Sequence, residues 1–391
     1  MRNHYIDALK GFAALNIVFI HTAFNSGADY VPDWVRAASL AIDVPFFFFL
    51  SGWAVALMPA IRFEKTLTSL WRTYAQWLLF VGVTFVGMAL VALLTPVPLG
   101  SRREFGTSFL GNLVLQNPNT PLPFHGVMGG GWFLVVYFAV IPVLSAAIAL
   151  LRRYSDSPRP VALLLLVCVI GFVRTQAGGS FFGFDQTFLC YSVFFLLGYL
   201  QRDLLLRAWQ SATLLAAVVA GMWVTLVLRD ARWVDMQLLK FAPTLVWALY
   251  ALLGIVVAVS FKRWQYRVTG RGPLNWVGTN ALQFFFTNAV AASIVMWIAP
   301  LLRLPWIPKL AVCYAVTLAI TAVLVVAFNR LHGLTAGAAT RAWAAVAPSL
   351  LPLHRTARAH GSRAMPVPAD RLESGGVLAE PRVGVGAVRN G

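Results

Sequence analysis

Polar residues divide the chain between positions 6 and 328 into ten apolar runs. They lie at roughly 6–25, 38–58, 72–95, 131–151, 160–175, 186–200, 211–228, 243–261, 276–299 and 309–328. About 20 apolar residues in a helix cross the hydrocarbon core of a bilayer. The runs therefore predict an all-α fold: a polytopic integral membrane helical bundle with about ten transmembrane helices, of which the fifth and sixth are the shortest. Composition agrees, since 59% of the 391 residues are hydrophobic and only 12% are charged. A soluble domain is usually about 45–50% apolar and about 25% charged. Such a surfeit of apolar surface excludes a cytosolic enzyme, a disordered chain and a disulfide scaffold. The first run carries Asp7 and Lys10 and has no small-x-small cleavage site, so it reads as a span and not as a cleaved leader.

The net charge of +17 comes from 31 Lys and Arg against 14 Asp and Glu. No soluble basic domain carries this excess, so no nucleic-acid partner is expected. Basic residues instead collect in cytoplasmic loops. With the N terminus inside, 21 Lys and Arg fall on inner segments, counting the C-terminal tail, and nine on outer loops. Both termini are therefore expected in the cytoplasm. Residues 1–332 read as the membrane domain. Residues 333–391 read as a C-terminal cytoplasmic tail, with a short interfacial helix over 334–353 and disorder over 355–391. Cys168, Cys190 and Cys313 lie in apolar runs, without metal-ligand spacing, and are expected to be buried hydrophobes. No internal repeat is visible. The long outer loop over about 96–130 is either a connector or an ordered functional element.

Ionisable residues inside spans are costly and point to function. Here they are Asp7, Lys10, His21 and Asp43. Lys10 and His21 lie eleven residues apart. At 100° per residue that is within about 20° of whole turns, with an axial separation of roughly 16 Å. One helix face thus carries a cation near one membrane surface and an imidazole far deeper. Each residue also has a structural reading. Lys10 could snorkel to the headgroups. Asp7 could be its counter-charge or favour the helix start. His21 could hydrogen-bond a neighbouring helix. Asp43, just before Pro45, could orient an imidazole or hold a proline break. The run Phe46–Phe49 reads as packing, Gly52 as a point of close helix approach, and Ser51 as a hydrogen-bond donor with no local base to activate it.

These residues resemble a known family. Tyr5-Ile6-Asp7-Ala8-Leu9-Lys10-Gly11-Phe12-Ala13-Ala14-Leu15 with His21 resembles the first span of the acyltransferase-3 family of integral membrane O-acyltransferases. Ile42-Asp43-Val44-Pro45-Phe46-Phe47 with Leu50-Ser51-Gly52 is similar to its second span. Gly131-Trp132-Phe133-Leu134 resembles the opening of a middle span, and Leu274-Asn275-Trp276-Val277-Gly278 a late leucine-x-x-x-glycine segment. The resemblance covers about residues 5–330. It implies O-acylation, usually acetylation, of a carbohydrate, with acetyl-CoA as cytoplasmic donor substrate. The family pairs an arginine with the histidine, and Lys10 stands in the arginine's place, keeping the charge without the bidentate fork. A position where the family commonly has histidine is Asn288.

Acyl transfer to a hydroxyl needs a base at the hydroxyl and stabilisation of the developing oxyanion. The expected catalytic residues are His21, as general base or acyl relay, and Asp43, orienting it. Lys10 and Arg72 are expected to hold the anionic coenzyme. Asn16, Ser51 and Trp132 are expected substrate contacts. No metal is implied. The expected partners are acyl-CoA, a glycan or lipid-linked saccharide acceptor reached from the periplasmic side, and membrane lipids; the expected location is a bacterial inner (plasma) membrane. A glycan transporter or flippase, moving its cargo without covalent change, is the competing expectation.

Overall fold

The computed structural model describes residues 3–26, 30–95, 101–116, 127–128 and 131–350, with side chains up to residue 336. Its α-helices are α1 (His4–Asn25), α2 (Asp33–Ser39), α3 (Val44–Ala56), α4 (Phe63–Leu94), α5 (Arg102–Leu113), α6 (Gly131–Tyr154) and α7 (Arg159–Thr175). They continue with α8 (Gln186–Leu200), α9 (Ala208–Leu228), α10 (Met236–Leu239), α11 (Leu245–Ser260), α12 (Pro273–Thr279), α13 (Ala281–Ile298) and α14 (Trp306–Leu350). Eight helical segments among the described residues are long and apolar enough to cross a membrane. The fold is a polytopic helical membrane bundle. Each expected run is helical over most of its length, and the two shortest runs correspond to α7 and α8, of 17 and 15 residues. The chain divides into two units, Met1–Leu334 and Thr335–Gly391. Residues 334–350 are the last turns of α14 and not a separate helix. The disorder expected over 355–391 lies outside the described residues.

Helix α1 starts where Asn3 accepts hydrogen bonds from the Tyr5 and Ile6 amides, a side-chain N-cap. Two further bonds tie this start to its neighbours: Tyr5 Oη donates to the Ala258 carbonyl at 2.7 Å and Asn275 Nδ2 to the His4 carbonyl at 2.7 Å. Glycine then lets backbones touch. A Cβ at Gly278 would lie 1.7 Å from the Asp7 carbonyl oxygen, and one at Gly11 would lie 2.0 Å from that of Leu274. Helices α1 and α12 therefore meet backbone to backbone, which is what the late leucine-x-x-x-glycine segment provides. Gly52 and Gly198 do the same for α3 and α8, where an added Cβ would lie 1.8 Å from the Phe195 or Phe49 carbonyl oxygen. The aromatic run packs as expected: Phe46, Phe48 and Phe49 are buried, and Phe48 meets Tyr191 with ring centroids 4.6 Å apart.

The second apolar run is not one helix. It breaks between α2 and α3, where Pro45 follows Asp43 and the Asp43 backbone is extended. Carbonyls freed in lipid must find other donors. Asn16 Nδ2 supplies two bonds, to the Ser39 carbonyl at 2.7 Å and the Ile42 carbonyl at 2.6 Å. Tyr250 Oη supplies a third, to the Ala37 carbonyl at 2.8 Å. The amide nitrogen of Asn16, expected at a substrate, is thus engaged in holding the break. The break turns the Asp43 carboxylate into the interior instead of leaving it on a helix surface.

In the long loop, Ser101 and Glu104 form a capping box that starts α5. The end of α5 is fastened by Trp77 Nε1 to the Asn112 carbonyl (2.8 Å) and Tyr74 Oη to the Leu113 carbonyl (2.7 Å). Part of this loop is therefore an ordered element; residues 117–126 lie outside the described ones. Cys168, Cys190 and Cys313 are buried and free.

Candidate active site

Four polar side chains from distant parts of the chain gather near the C-terminal end of α1. His21 lies one turn before that end and is half-buried. Its Nδ1 is hydrogen-bonded to Oδ1 of Asn288 on α13. The Asn288 amide is itself oriented, because Nδ2 donates to the Phe284 and Phe285 carbonyls, both at 2.7 Å. With the nitrogen so engaged, Oδ1 is the atom that faces the imidazole, and it can only accept. Nδ1 of His21 therefore carries the proton. In the neutral ring Nε2 is then left with a free lone pair, the form required of a base or a nucleophile.

The other two members are Asp43 and Lys240, which form an ion pair at 2.5 Å with side chains 1% and 8% exposed. Lys240 Nζ also lies 5.4 Å from the centre of the Trp132 ring and 5.2 Å from that of Phe241. The charges of Lys240 and Asp43 both reach the His21 ring. The expectation that Asp43 orients His21 directly needs correcting on this point: the carboxylate is paired with Lys240, and Asn288 holds the imidazole.

Sequence reasoning missed two of the four. By sequence Lys240 is one of the nine outer-loop cations, in the same loop as Arg229 and Arg232. Its burial, at 7% exposure, has a legible reason only once Asp43 is known to need a cation. Asn288 was noted for lacking the imidazole usual in the family. Its signal is that it is an amide inside an apolar run, where a polar side chain bonds across helices.

A cavity of about 250 Å³ leads toward this layer from the side of Lys10. Lys10, Ser51, Thr73, Tyr137 and Thr279 contribute its polar groups, and Phe47, Phe133 and Phe285 are among its apolar walls. Ser51 Oγ donates to the Phe47 carbonyl at 2.8 Å. The cavity wall and the polar layer are one helical turn apart on two helices: Phe285 precedes Asn288 on α13, and Phe47 follows Asp43 on α3. One turn is about 5 Å of rise. Lys10 and Ser51 thus share one cavity. Arg72 is exposed on α4 beside the cavity residue Thr73 and does not itself line the cavity. Trp132 lies elsewhere, against Lys240.

The bundle thus sets an oriented imidazole in a polar layer one helical turn from the wall of a cavity. A family profile described as an acyltransferase domain matches residues 3–326, nearly all of the described bundle. That defines the class as integral membrane acyltransferase. The chain belongs to the acyltransferase-3 family. The comparisons with curated proteins and with solved structures returned no match. The family match lends no support to the transporter expectation.

Proposed function

We propose that the protein is an O-acyltransferase that moves an acetyl group from acetyl-CoA to a hydroxyl of a glycan, such as an exopolysaccharide, O-antigen or lipid-linked sugar, in a bacterial inner membrane. The observation that carries this reading is the His21–Asn288 bond, which leaves Nε2 free as the base. The ammonium of Lys10 attracts the anionic coenzyme at the cavity mouth, and Arg72 adds charge at the surface beside it. The acyl-pantetheine arm extends along Phe47, Phe133 and Phe285 toward the polar layer.

In direct transfer, Nε2 of His21 takes the proton of the acceptor hydroxyl as its oxygen attacks the thioester carbonyl. The carbon–sulfur bond then breaks, and the imidazolium returns the proton to the leaving thiolate. In the two-step form, Nε2 attacks the thioester carbonyl and the carbon–sulfur bond breaks to release the coenzyme thiolate; the acceptor oxygen then attacks the acetyl-imidazolium, the carbon–nitrogen bond breaks, and the hydroxyl proton goes to the thiolate. Asn288 keeps the ring in one tautomer and one orientation throughout. The Asp43–Lys240 pair supplies fixed charge in a medium of low dielectric, where charge acts over longer distances than in water.

The test is purified protein with radiolabelled acetyl-CoA and an acceptor-bearing membrane extract. Wild type is expected to move label to the glycan, and His21→Ala to move none while remaining folded. Full transfer by His21→Ala would remove the assignment. Binding of acetyl-CoA is expected to weaken in Lys10→Ala and to persist in Lys10→Arg; unchanged affinity in Lys10→Ala would remove Lys10 from the donor site.

A further inference from the structure

A second cavity, of about 540 Å³, opens at the end of the bundle where α6 and α8 begin. It uses a different face of α6 from the first: Trp132, Val136 and Ala139 border it, whereas Phe133 and Tyr137 border the other. Trp132 and Phe241 meet edge to face, with centroids 5.3 Å apart and planes at 80°, so they form an aromatic corner. Lys240 lies against both rings and lines the cavity. The remaining polar side chains are Gln116, Asp185, Thr187 and Tyr191. Asp185 uses one carboxylate oxygen to cap α8, at 2.7 Å from the Phe188 amide.

Through Lys240 this cavity touches the same layer that the first cavity approaches from the other side, because Lys240 pairs with Asp43 and both charges reach His21. We propose that the second cavity is the acceptor subsite, shaped to hold a saccharide ring in the corner of Trp132 and Phe241, so that donor and acceptor come to His21 from opposite ends of the bundle. The inference rests on the acyl-transfer reading and adds to it where the sugar binds and why it is a sugar. Flat aromatic walls match the C–H faces of a pyranose, and an amide, a hydroxyl and a carboxylate oxygen match its hydroxyl groups. The chemistry disfavours the coenzyme here. Among the described lining residues Lys240 alone is cationic, its charge is already matched by Asp43, and Asp185 would repel a phosphate.

The experiment separates the two cavities by blocking them one at a time. Val135→Cys and Ala139→Cys place a thiol in the second cavity, Thr279→Cys in the first, and the three native cysteines are buried. Each variant is assayed before and after alkylation with a bulky maleimide, for transfer of label to the membrane's own glycan and for binding of acetyl-CoA. Alkylation at 135 or 139 is expected to cut transfer by about tenfold or more and to leave acetyl-CoA binding within about twofold, whereas alkylation at 279 weakens acetyl-CoA binding. A second variant, Gln116→Ala, exposed on the rim, is expected to raise the KM for acceptor and leave that for acetyl-CoA unchanged. Full transfer after alkylation with an unchanged acceptor KM in Gln116→Ala overturns the subsite. Equal loss of acetyl-CoA binding on alkylation at 135 and 139 overturns it too, by giving the cavity to the donor. Unmodified wild type that neither binds acetyl-CoA nor labels a glycan is a different result, and sinks the acyl-transfer reading itself.

Discussion

Asn288 decides which nitrogen of His21 carries a proton, and it does so with an amide that is itself held by two backbone carbonyls. Removing it frees the ring to take the wrong tautomer. Asn288→Leu is expected to lower kcat by roughly 10²-fold or more, and Asn288→Asp, which keeps an acceptor for Nδ1 but loses the donors to the Phe284 and Phe285 carbonyls, by a smaller factor. Steady-state kinetics check this, with acetyl-CoA affinity unchanged in both; an equal fall in affinity would mark a merely structural effect. Asp43 and Lys240 make a different kind of pair. A buried charge left without its partner is expensive, so Lys240→Met should cost about 3–5 kcal/mol of stability. Asp43→Leu combined with Lys240→Met should recover most of that loss, because no lone charge remains. Thermal unfolding in detergent measures both, and a double variant no more stable than Lys240→Met would contradict the pairing.

At the scale of elements, the helices lock together where glycine removes a side chain. Gly278→Ala and Gly52→Ala would push a Cβ to 1.7 Å and 1.8 Å from a backbone carbonyl oxygen, which only helix separation can relieve. Both are expected to abolish or strongly reduce folded protein. Gly87→Ala on α4 meets nothing within 4 Å and should be neutral or slightly stabilising, since alanine favours the helix. Size-exclusion profiles of the three variants check this; three equal profiles would contradict it. The helices themselves were legible as apolar runs, because in lipid the length of a run dictates the element. The split of the second run was legible in part, through Pro45 after Asp43. What the sequence alone could not reveal was where the freed carbonyls would find donors: Asn16 and Tyr250 belong to other helices. The candidate site followed the same rule. His21, Lys10 and Asp43 stand out as charges in apolar runs, whereas Asn288 and Lys240 acquire meaning only from what they touch.

The whole molecule carries its charges unevenly, and that sets the expected orientation. Single cysteines at Asp156 and Tyr266 should react with an impermeant maleimide only from the cytoplasmic face, and those at Gln176 and Arg303 only from the opposite face. Right-side-out vesicles provide the assay, and the reverse pattern would overturn the placement of both termini in the cytoplasm. The layer around His21 also has a history during synthesis. Asp43 enters the membrane early, but its cation lies about 200 residues further along the chain. At about 5–20 residues per second, the carboxylate waits about 10–40 s for Lys240 to emerge. Until then it is a lone acid among lipids or in the insertion machinery. Nascent chains that stop short of Lys240 should therefore be recognised as incomplete and degraded, even though their first spans have the length and apolarity to insert. The ion pair can thus close once α1 to α10 have been made, with α11 to α14 still to follow.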